Sequence, residues 1–409
     1  MRIERIATGG DGVGRSADGR VVFVPFAAPG ETVRASCVEE APRFLRARLE
    51  AVLAPSAERV EPRCALFGIC GGCSLMHLSP PAQLAVKDGI VADHLVRPGL
   101  VEASRVAPTR PSPEHWHFRH RMRFHARRGK LGLFRPKSQS LVEIARCPVS
   151  APRIDALLAP LAVRVAEVPT TALEIEIVDD GAACALAVSA VAPAVVDLEA
   201  LARRFQAVPG VTSVVARAGA RRFVVGDAIA HDAAPPGSFR QANPLANEWL
   251  RTRVADAVDA AGPGADEVLE LYAGGGNFTS AIAARGHRVL AVEQDPHAVA
   301  AGERAANGRP AGAAPIRFVR ASVEPFLRGR APRAACVVLN PPRIGLPAKT
   351  APAIARLGAR GLIYVSCNPA TLGRDLARLR DEGFEVQSVE PIDLFPHTAH
   401  VECVAILRR

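Results

Sequence analysis

The chain has 409 residues, of which 49% are hydrophobic and 22% charged, with a formal net charge of +10. That apolar content excludes a mainly disordered protein, and no apolar run reaches the ~18 residues of a membrane span; the Ala-rich stretch 182–196 is short and broken by Pro193. The first residues, MRIERIATGGDGVG, contain no apolar segment of a secretory signal, so a cytoplasmic protein of two or three domains is expected.

The charge is unevenly spread. Residues 1–150 hold 23 Arg and Lys against 14 Asp and Glu, a net of +9, which leaves +1 for the rest of the chain. The stretch Arg105–Arg146 alone carries eleven basic and two acidic residues. A concentrated basic patch suits a polyanion, for which phosphate contacts supply much of the affinity; a solubilising surface is the bland alternative.

In chain order, the first fifty residues predict short strands at Ile3–Ile6, Val21–Pro25, Thr32–Val38 and Phe44–Val52, with turns at Gly9-Gly10, Gly12, Gly14, Gly19 and Pro29-Gly30. Such spacing predicts a small β-barrel over residues 1–54. A central α+β region over 55–235 follows. It begins with a cysteine loop and a helix over Pro81–Leu95, and has strands at Phe118–Ala126 and Leu131–Phe134. From about residue 236 the pattern changes to apolar strands alternating with longer helices. The strands are Val268–Tyr272, Val289–Glu293, Ile316–Val319, Cys336–Leu339, Leu362–Ser366, Phe384–Pro391 and Val401–Leu407, a pattern that predicts an α/β doubly wound sheet. Ligands bind such sheets at the C-terminal ends of the strands.

Nine cysteines without a secretory signal do not make a disulfide scaffold. Cys64, Cys70 and Cys73 follow a C-x5-C-x2-C spacing, and Cys147 lies 73 intervening residues downstream. Four thiolates hold either a [4Fe-4S] cluster or zinc; the paired glycines of the Cys70–Cys73 turn favour iron–sulfur. In the C-terminal region, Glu270-Leu-Tyr-Ala-Gly-Gly-Gly-Asn277 follows a strand and opens a helix, and Glu293 ends the next strand. A glycine loop with an acid about twenty residues on is the arrangement for a nucleoside cofactor. The full dinucleotide fingerprint and the phosphate-loop Gly-Lys-Ser/Thr are both missing, so S-adenosylmethionine fits better than NAD, with Tyr272, Gly274, Gly276, Asn277 and Glu293 as its contacts. Asn340-Pro-Pro-Arg343 makes a stiff strand end that suits a planar base. Cys367 follows an apolar strand and precedes a helix start, where the dipole favours a thiolate, and Glu402 places a carboxylate in an otherwise apolar strand. Arg119, Arg121 and Arg123 alternate and would share one strand face, suited to phosphate contact.

Together these segments resemble the RNA 5-methyluridine methyltransferase family, in particular its iron–sulfur members acting on 23S ribosomal RNA. The resemblance is carried by FVPFAAPGETV, CALFGICGGC with Cys147, GSFRQAN, ELYAGGGNFT, SCNPATLGRD and FPHTAHVE. It implies an N-terminal RNA-binding TRAM barrel (OB-like), a central iron–sulfur domain and, over 236–409, a Rossmann-like methyltransferase domain. It further implies four cluster ligands at Cys64, Cys70, Cys73 and Cys147, Cys367 as nucleophile and Glu402 as base. Phe239 would stack on an extruded uridine, with Gln241 contacting base and cofactor and Asn340 and Arg343 beside them. The expected partner is structured RNA, 23S rRNA before tRNA, with no membrane and a monomeric enzyme. An RNA-binding iron–sulfur protein without catalysis is the alternative from another class. Two positions depart from the family. Asn340 stands where an Asp is usual, and Ala321-Ser322 where an acid near the adenine is common, with Glu324 as a substitute.

Overall fold

The computed structural model describes residues 1–168, 172–191, 196–226, 241–262, 267–329 and 331–409. The chain divides into two compact units, one of residues 1–59, 78–113 and 246–409, the other of 60–77 and 114–245. The second unit is therefore inserted twice into the first. The helix that follows the cysteine loop, placed by sequence in the central region, folds with the first unit.

Strands β1 (Ile3–Ile6), β2 (Asp11–Arg15), β3 (Val21–Pro25), β4 (Thr32–Glu40) and β5 (Phe44–Ala54) form one sheet in the order β1-β2-β3-β5-β4. Its edges are joined, since Arg2 bridges Thr32 and the Val33 N–H donates to Met1 O at 2.8 Å. Its core is Ile3, Val22, Val24, Ala27, Val33 and Ala47. Strand β2 is the one the sequence hid. Gly12 and Gly14 read as turns, yet both lie in extended backbone; a Cβ on Gly14 would come within 2.5 Å of Arg2 O. Here glycine serves close approach between strands, whereas Gly10, Gly19 and Gly30 do take positive φ.

Helix α1 (Pro80–Val91) is capped by Ser79, whose hydroxyl accepts from the Ala82 N–H, and it buries Gln83 and Lys87. Lys87 Nζ donates to Asp393, also buried, and to Phe395 O at 3.1 Å; Gln83 bonds Leu78 O and accepts from the His397 N–H at 2.7 Å. This polar seam ties α1 to the segment that leads into the last strand.

The second unit has a seven-stranded sheet in the order β12-β11-β10-β9-β6-β7-β8, from β6 (Arg121–Arg127), β7 (Lys130–Phe134), β8 (Leu141–Glu143), β9 (Leu173–Asp179), β10 (Cys184–Ala190), β11 (Val211–Ala218) and β12 (Arg221–Gly226). Helices α2 (Pro152–Ala166) and α3 (Leu198–Gln206) supply Ile154, Leu158, Leu161, Leu201 and Phe205 to its core.

The C-terminal sheet comprises β13 (Val268–Leu271), β14 (Val289–Glu293), β15 (Ile316–Arg320), β16 (Cys336–Leu339), β17 (Gly361–Ser366), β18 (Glu385–Ile392) and β19 (Glu402–Arg408), ordered β15-β14-β13-β16-β17-β19-β18. The first five are parallel, while β19 runs antiparallel to β17 and β18. Helices α4 (Pro244–Ala261), α5 (Asn277–Ala284), α6 (Pro296–Asn307), α7 (Val323–Arg328), α8 (Thr350–Arg356) and α9 (Pro369–Asp381) accompany it. Because β13 reverses the winding direction, its C-terminal end opens a crevice at the switch point. No helix among the described residues is long and apolar enough to cross a membrane.

Candidate active site and thiol cluster

The rim at the C-terminal ends of β13, β14, β16 and β17 gathers the motifs that the sequence singled out. Tyr272, just past β13, has φ +60°, and Gly274 and Gly276 have φ +56° and +87°. A Cβ on Gly274 would meet nothing within 4 Å, and on Gly275 only Ala298 O at 4.0 Å, so the loop leaves open space over its backbone. Glu293 holds the loop from the next strand: it accepts from the Gly274 N–H at 2.9 Å with one oxygen and from the Gln294 and Asp295 N–H groups with the other. Asn277 pairs reciprocally with Asn247 of α4. Asn340 follows β16, and its N–H donates to Leu271 O at 3.3 Å.

Glu270, which sequence reasoning passed over, lies beneath the glycine loop. It is fully buried; Thr279 donates to one carboxyl oxygen at 2.5 Å, and the other is buried with no hydrogen-bond partner among the described residues. Burial pushes this carboxyl up to about 8, against the Thr279 bond and with a further push from Glu293. An acid in an apolar strand, the signal that marked Glu402, would have found it. The open cradle, the strand-end acid and this orphaned oxygen fit a cofactor with a ribose and an ammonium group.

Cys367 follows β17, and Glu402 opens β19. The antiparallel register pairs Ser366 with Cys403, which brings Cys367 and Glu402 together at one rim. Asn368 links Ser366 to the helix start: its N–H donates to Ser366 Oγ at 3.2 Å, while its Oδ1 accepts from the Ala370 N–H at 3.1 Å as the cap of α9. Asn368 Nδ2 and Thr371 Oγ1 both donate to Arg343 O, at 3.1 and 3.2 Å. The Arg343 side chain in turn hydrogen-bonds Cys367. Burial, then the Glu402 charge, pushes the Cys367 thiol up, and Arg343 pulls it down. Glu402 is buried, which raises its carboxyl to about 8 despite Arg343. The rim thus holds a thiol, a buried carboxyl and a cation facing both.

Four of the five cysteines of the second unit lie near one another. Cys64, Cys70 and Cys73 are half-buried and Cys147 is buried, and none is in a disulfide. Burial raises the thiols of Cys70, Cys73 and Cys147, and the charges of their neighbours in the set add to it; Cys73 is pushed up to about 12. Opposing this, the Gly72 N–H donates to Cys70 Sγ at 3.4 Å, and the Val149 and Ser150 N–H groups donate to Cys147. Among the described residues no group of three or more His, Cys, Asp or Glu is set closely enough to hold a metal ion as it stands. Amides aimed at sulfur and thiols that raise one another suit a centre that binds them as thiolates.

Arg121 and Arg123 share the face of β6 opposite the buried Met122 and Phe124, as expected, but the three arginines have different partners. Arg119 precedes β6 and is drawn in beside Cys73 and Cys147, with burial lowering its basicity. Arg121 is bonded to Glu176, and the more exposed Arg123 reaches Glu174 at 3.1 Å and Glu176 at 3.9 Å. The acids come from β9, a cross-strand pairing that local sequence does not announce. Gln241 belongs to the second unit, and Phe239 lies outside the described residues.

The tRNA (Uracil-5-)-methyltransferase family matches residues 221–409, and the TRAM domain matches residues 2–49. A 23S rRNA (uracil(1939)-C(5))-methyltransferase RlmD of Alkalilimnicola ehrlichii is 34% identical over 426 residues, covering 96% of this chain and 92% of that protein. The chain belongs to the RNA (uracil-5-)-methyltransferase family. Another relative, described as an uncharacterized RNA methyltransferase of Caulobacter vibrioides, is 34% identical over 430 residues and covers 100% of this chain and 99% of its own. The solved tRNA (uracil-54, C5)-methyltransferase of Pyrococcus abyssi, bound to S-adenosyl-L-homocysteine, shares the fold with a TM-score of 0.75 at 21% identity, covering 100% of this chain and 99% of that one. As a uracil-5-methyltransferase with an N-terminal TRAM domain, this chain places its Rossmann-like sheet in the region that holds the glycine loop, Cys367 and Glu402.

Proposed function

We propose that the chain methylates C5 of a uridine in 23S rRNA, using S-adenosylmethionine and a transient covalent bond from Cys367. The observation that carries the reading is the meeting of Cys367, Glu402 and Arg343 at the rim next to the glycine loop. The ribosomal substrate rests on the RlmD relatives and on the TRAM domain.

Uracil C5 is a poor nucleophile. The Cys367 thiolate adds to C6, the C5–C6 π electrons move toward O4, and the resulting enolate makes C5 nucleophilic. The bound cofactor supplies an electrophilic methyl on a sulfonium. Once C5 is methylated, Glu402 takes the C5 proton, the ring double bond reforms, and the S–C6 bond breaks to release Cys367. One methyl enters and one proton leaves. Arg343 favours the thiolate before attack and the Glu402 carboxylate before proton removal. Glu293 and the loop at Tyr272, Gly274, Gly276 and Asn277 would seat the cofactor. Asn340 would accept the uracil N3–H through its amide oxygen, and Phe239 and Gln241 would hold the extruded base. Cys64, Cys70, Cys73 and Cys147, the last two beside Arg119, would hold a [4Fe-4S] cluster, whose part in this redox-neutral transfer would be structural. Arg123 remains the arginine of its row most available to RNA.

The test is mass-spectrometric mapping of 5-methyluridine in 23S rRNA and tRNA from a gene deletion and its parent. Complementation with Cys367→Ala runs in parallel. Loss at a 23S position, unrestored by Cys367→Ala, is the expected result. Loss in tRNA alone would move the target, and restoration by Cys367→Ala would remove the covalent mechanism. In vitro, that variant should lose methyl transfer by about three orders of magnitude or more while still binding RNA.

A further inference from the structure

Asp375 is a carboxylate in the middle of α9, fully buried, and none of the chemistry above uses it. One oxygen accepts from the Leu346 N–H at 2.6 Å and the Tyr364 hydroxyl at 2.9 Å; the other accepts from Arg374 at 2.9 Å and Arg378 at 3.2 Å. Those two arginines continue to the backbone of the same loop. Arg374 donates to Ile344 O at 2.7 Å, and Arg378 donates to Leu346 O at 3.0 Å. Gly345 between them has φ +74°, and a Cβ there would fall 2.3 Å from Asp375 and 2.5 Å from Arg374. The loop is therefore pressed against the carboxylate with no room for a side chain. Its other end is held by Asn368 and Thr371 on Arg343 O.

A buried charge is costly unless its bonds are met, and here four donors meet it. One of those donors, the Leu346 N–H, lies on the loop that begins at Arg343, and Arg374 and Arg378 tie Ile344 and Leu346 of the same loop to the carboxylate. Resting on the catalytic reading of Cys367, we propose that Asp375 is a positioning residue: with Tyr364, Arg374 and Arg378 it fixes residues 343–346 so that the Arg343 guanidinium stays against the nucleophile. The charged and titratable groups facing Cys367 are Arg343 from this loop and Glu402 and Cys403 from β19. Those facing Asp375 are Arg374, Arg378, Tyr364 and, at longer range, Tyr272. If the clamp loosens, Cys367 keeps Glu402 beside it and loses its cation, so thiolate formation moves to higher pH.

The experiment reads alkylation of Cys367 by iodoacetamide against pH in the full chain, followed on the Cys367 peptide by mass spectrometry so that the other eight cysteines do not interfere. In folded Asp375→Asn the midpoint should rise by about one pH unit, as in Arg343→Ala. Adding Asp375→Asn to Arg343→Ala should then shift it no further. Gly345→Ala, which keeps the carboxylate but forces a Cβ between it and the loop, should give the same rise and carries the test if Asp375→Asn does not fold. A purely structural role predicts a lower melting temperature with an unchanged midpoint, which would overturn the proposal. So would a full additive shift in the double variant. Methyl transfer to uridine RNA by the parent is measured separately: its absence, with the alkylation shifts present, would sink the functional reading and leave the clamp standing.

Discussion

At the scale of single residues, the site is governed by how burial treats charge. Glu402 and Glu270 both sit near 8 because the folded chain hides them from water. Each folded carboxyl binds its proton more tightly than the unfolded one does. Its stabilisation is fully present below the ordinary value of 4.5 and is lost as pH rises through about 8, at about 1.4 kcal/mol per unit and group. The apparent melting temperature should fall between pH 5 and 8, and Glu402→Gln should fall less steeply over that range; parallel curves from differential scanning would contradict the assignment. On the proposed mechanism activity has the opposite sign, since Glu402 and Cys367 would both act deprotonated, so kcat/KM should rise through pH 7 to 8. Asn340 concerns a weaker effect. A charged acceptor makes roughly twice the hydrogen bond of a neutral one, so Asn340→Asp should raise kcat/KM on uridine RNA by about tenfold. Unchanged rates would mean that this contact does not limit the reaction.

At the scale of elements, continuous apolar runs made the C-terminal strands legible almost to the residue, because an α/β sheet buries both faces of its strands. Strand β2 was missed because glycine carries no periodic signal. Helix α1 could be seen as a helix, yet nothing local revealed that Lys87 and Gln83 face inward. Lys is rarely buried, and its partner Asp393 lies 306 residues on. Breaking that pair leaves one charge stranded. Lys87→Met should therefore cost about 3 kcal/mol in chemical denaturation, and Asp393→Asn in the same chain should recover much of it. A loss below about 0.5 kcal/mol would mean that the pair is not a support for the segment leading to Glu402.

At the scale of the whole molecule, the chain assembles each site from distant segments. Cys147 reaches the cysteine loop across 73 residues, and β19 returns from the C-terminus to lie beside β17. If the thiols bind a cluster, protein purified anaerobically should be brown with about four iron and about four sulfide per chain, and Cys147→Ala should lose most of both. Zinc without sulfide would replace the iron–sulfur assignment. RNA binding should weaken steeply with salt in either case, given the net +9 of residues 1–150.

The sequence by itself determined the alternation of strands and helices, the glycine loop with its strand-end acid, and the spacing of the cysteines. These are local or periodic properties, and short-range sterics and burial write them directly into the order of residues. Tertiary structure decided which groups meet. The antiparallel return of β19 set Glu402 beside Cys367, cross-strand acids occupied Arg121 and Arg123, and a packed loop joined Asp375 to Arg343. Charges interact through space over a few ångströms, and only the folded chain fixes those distances.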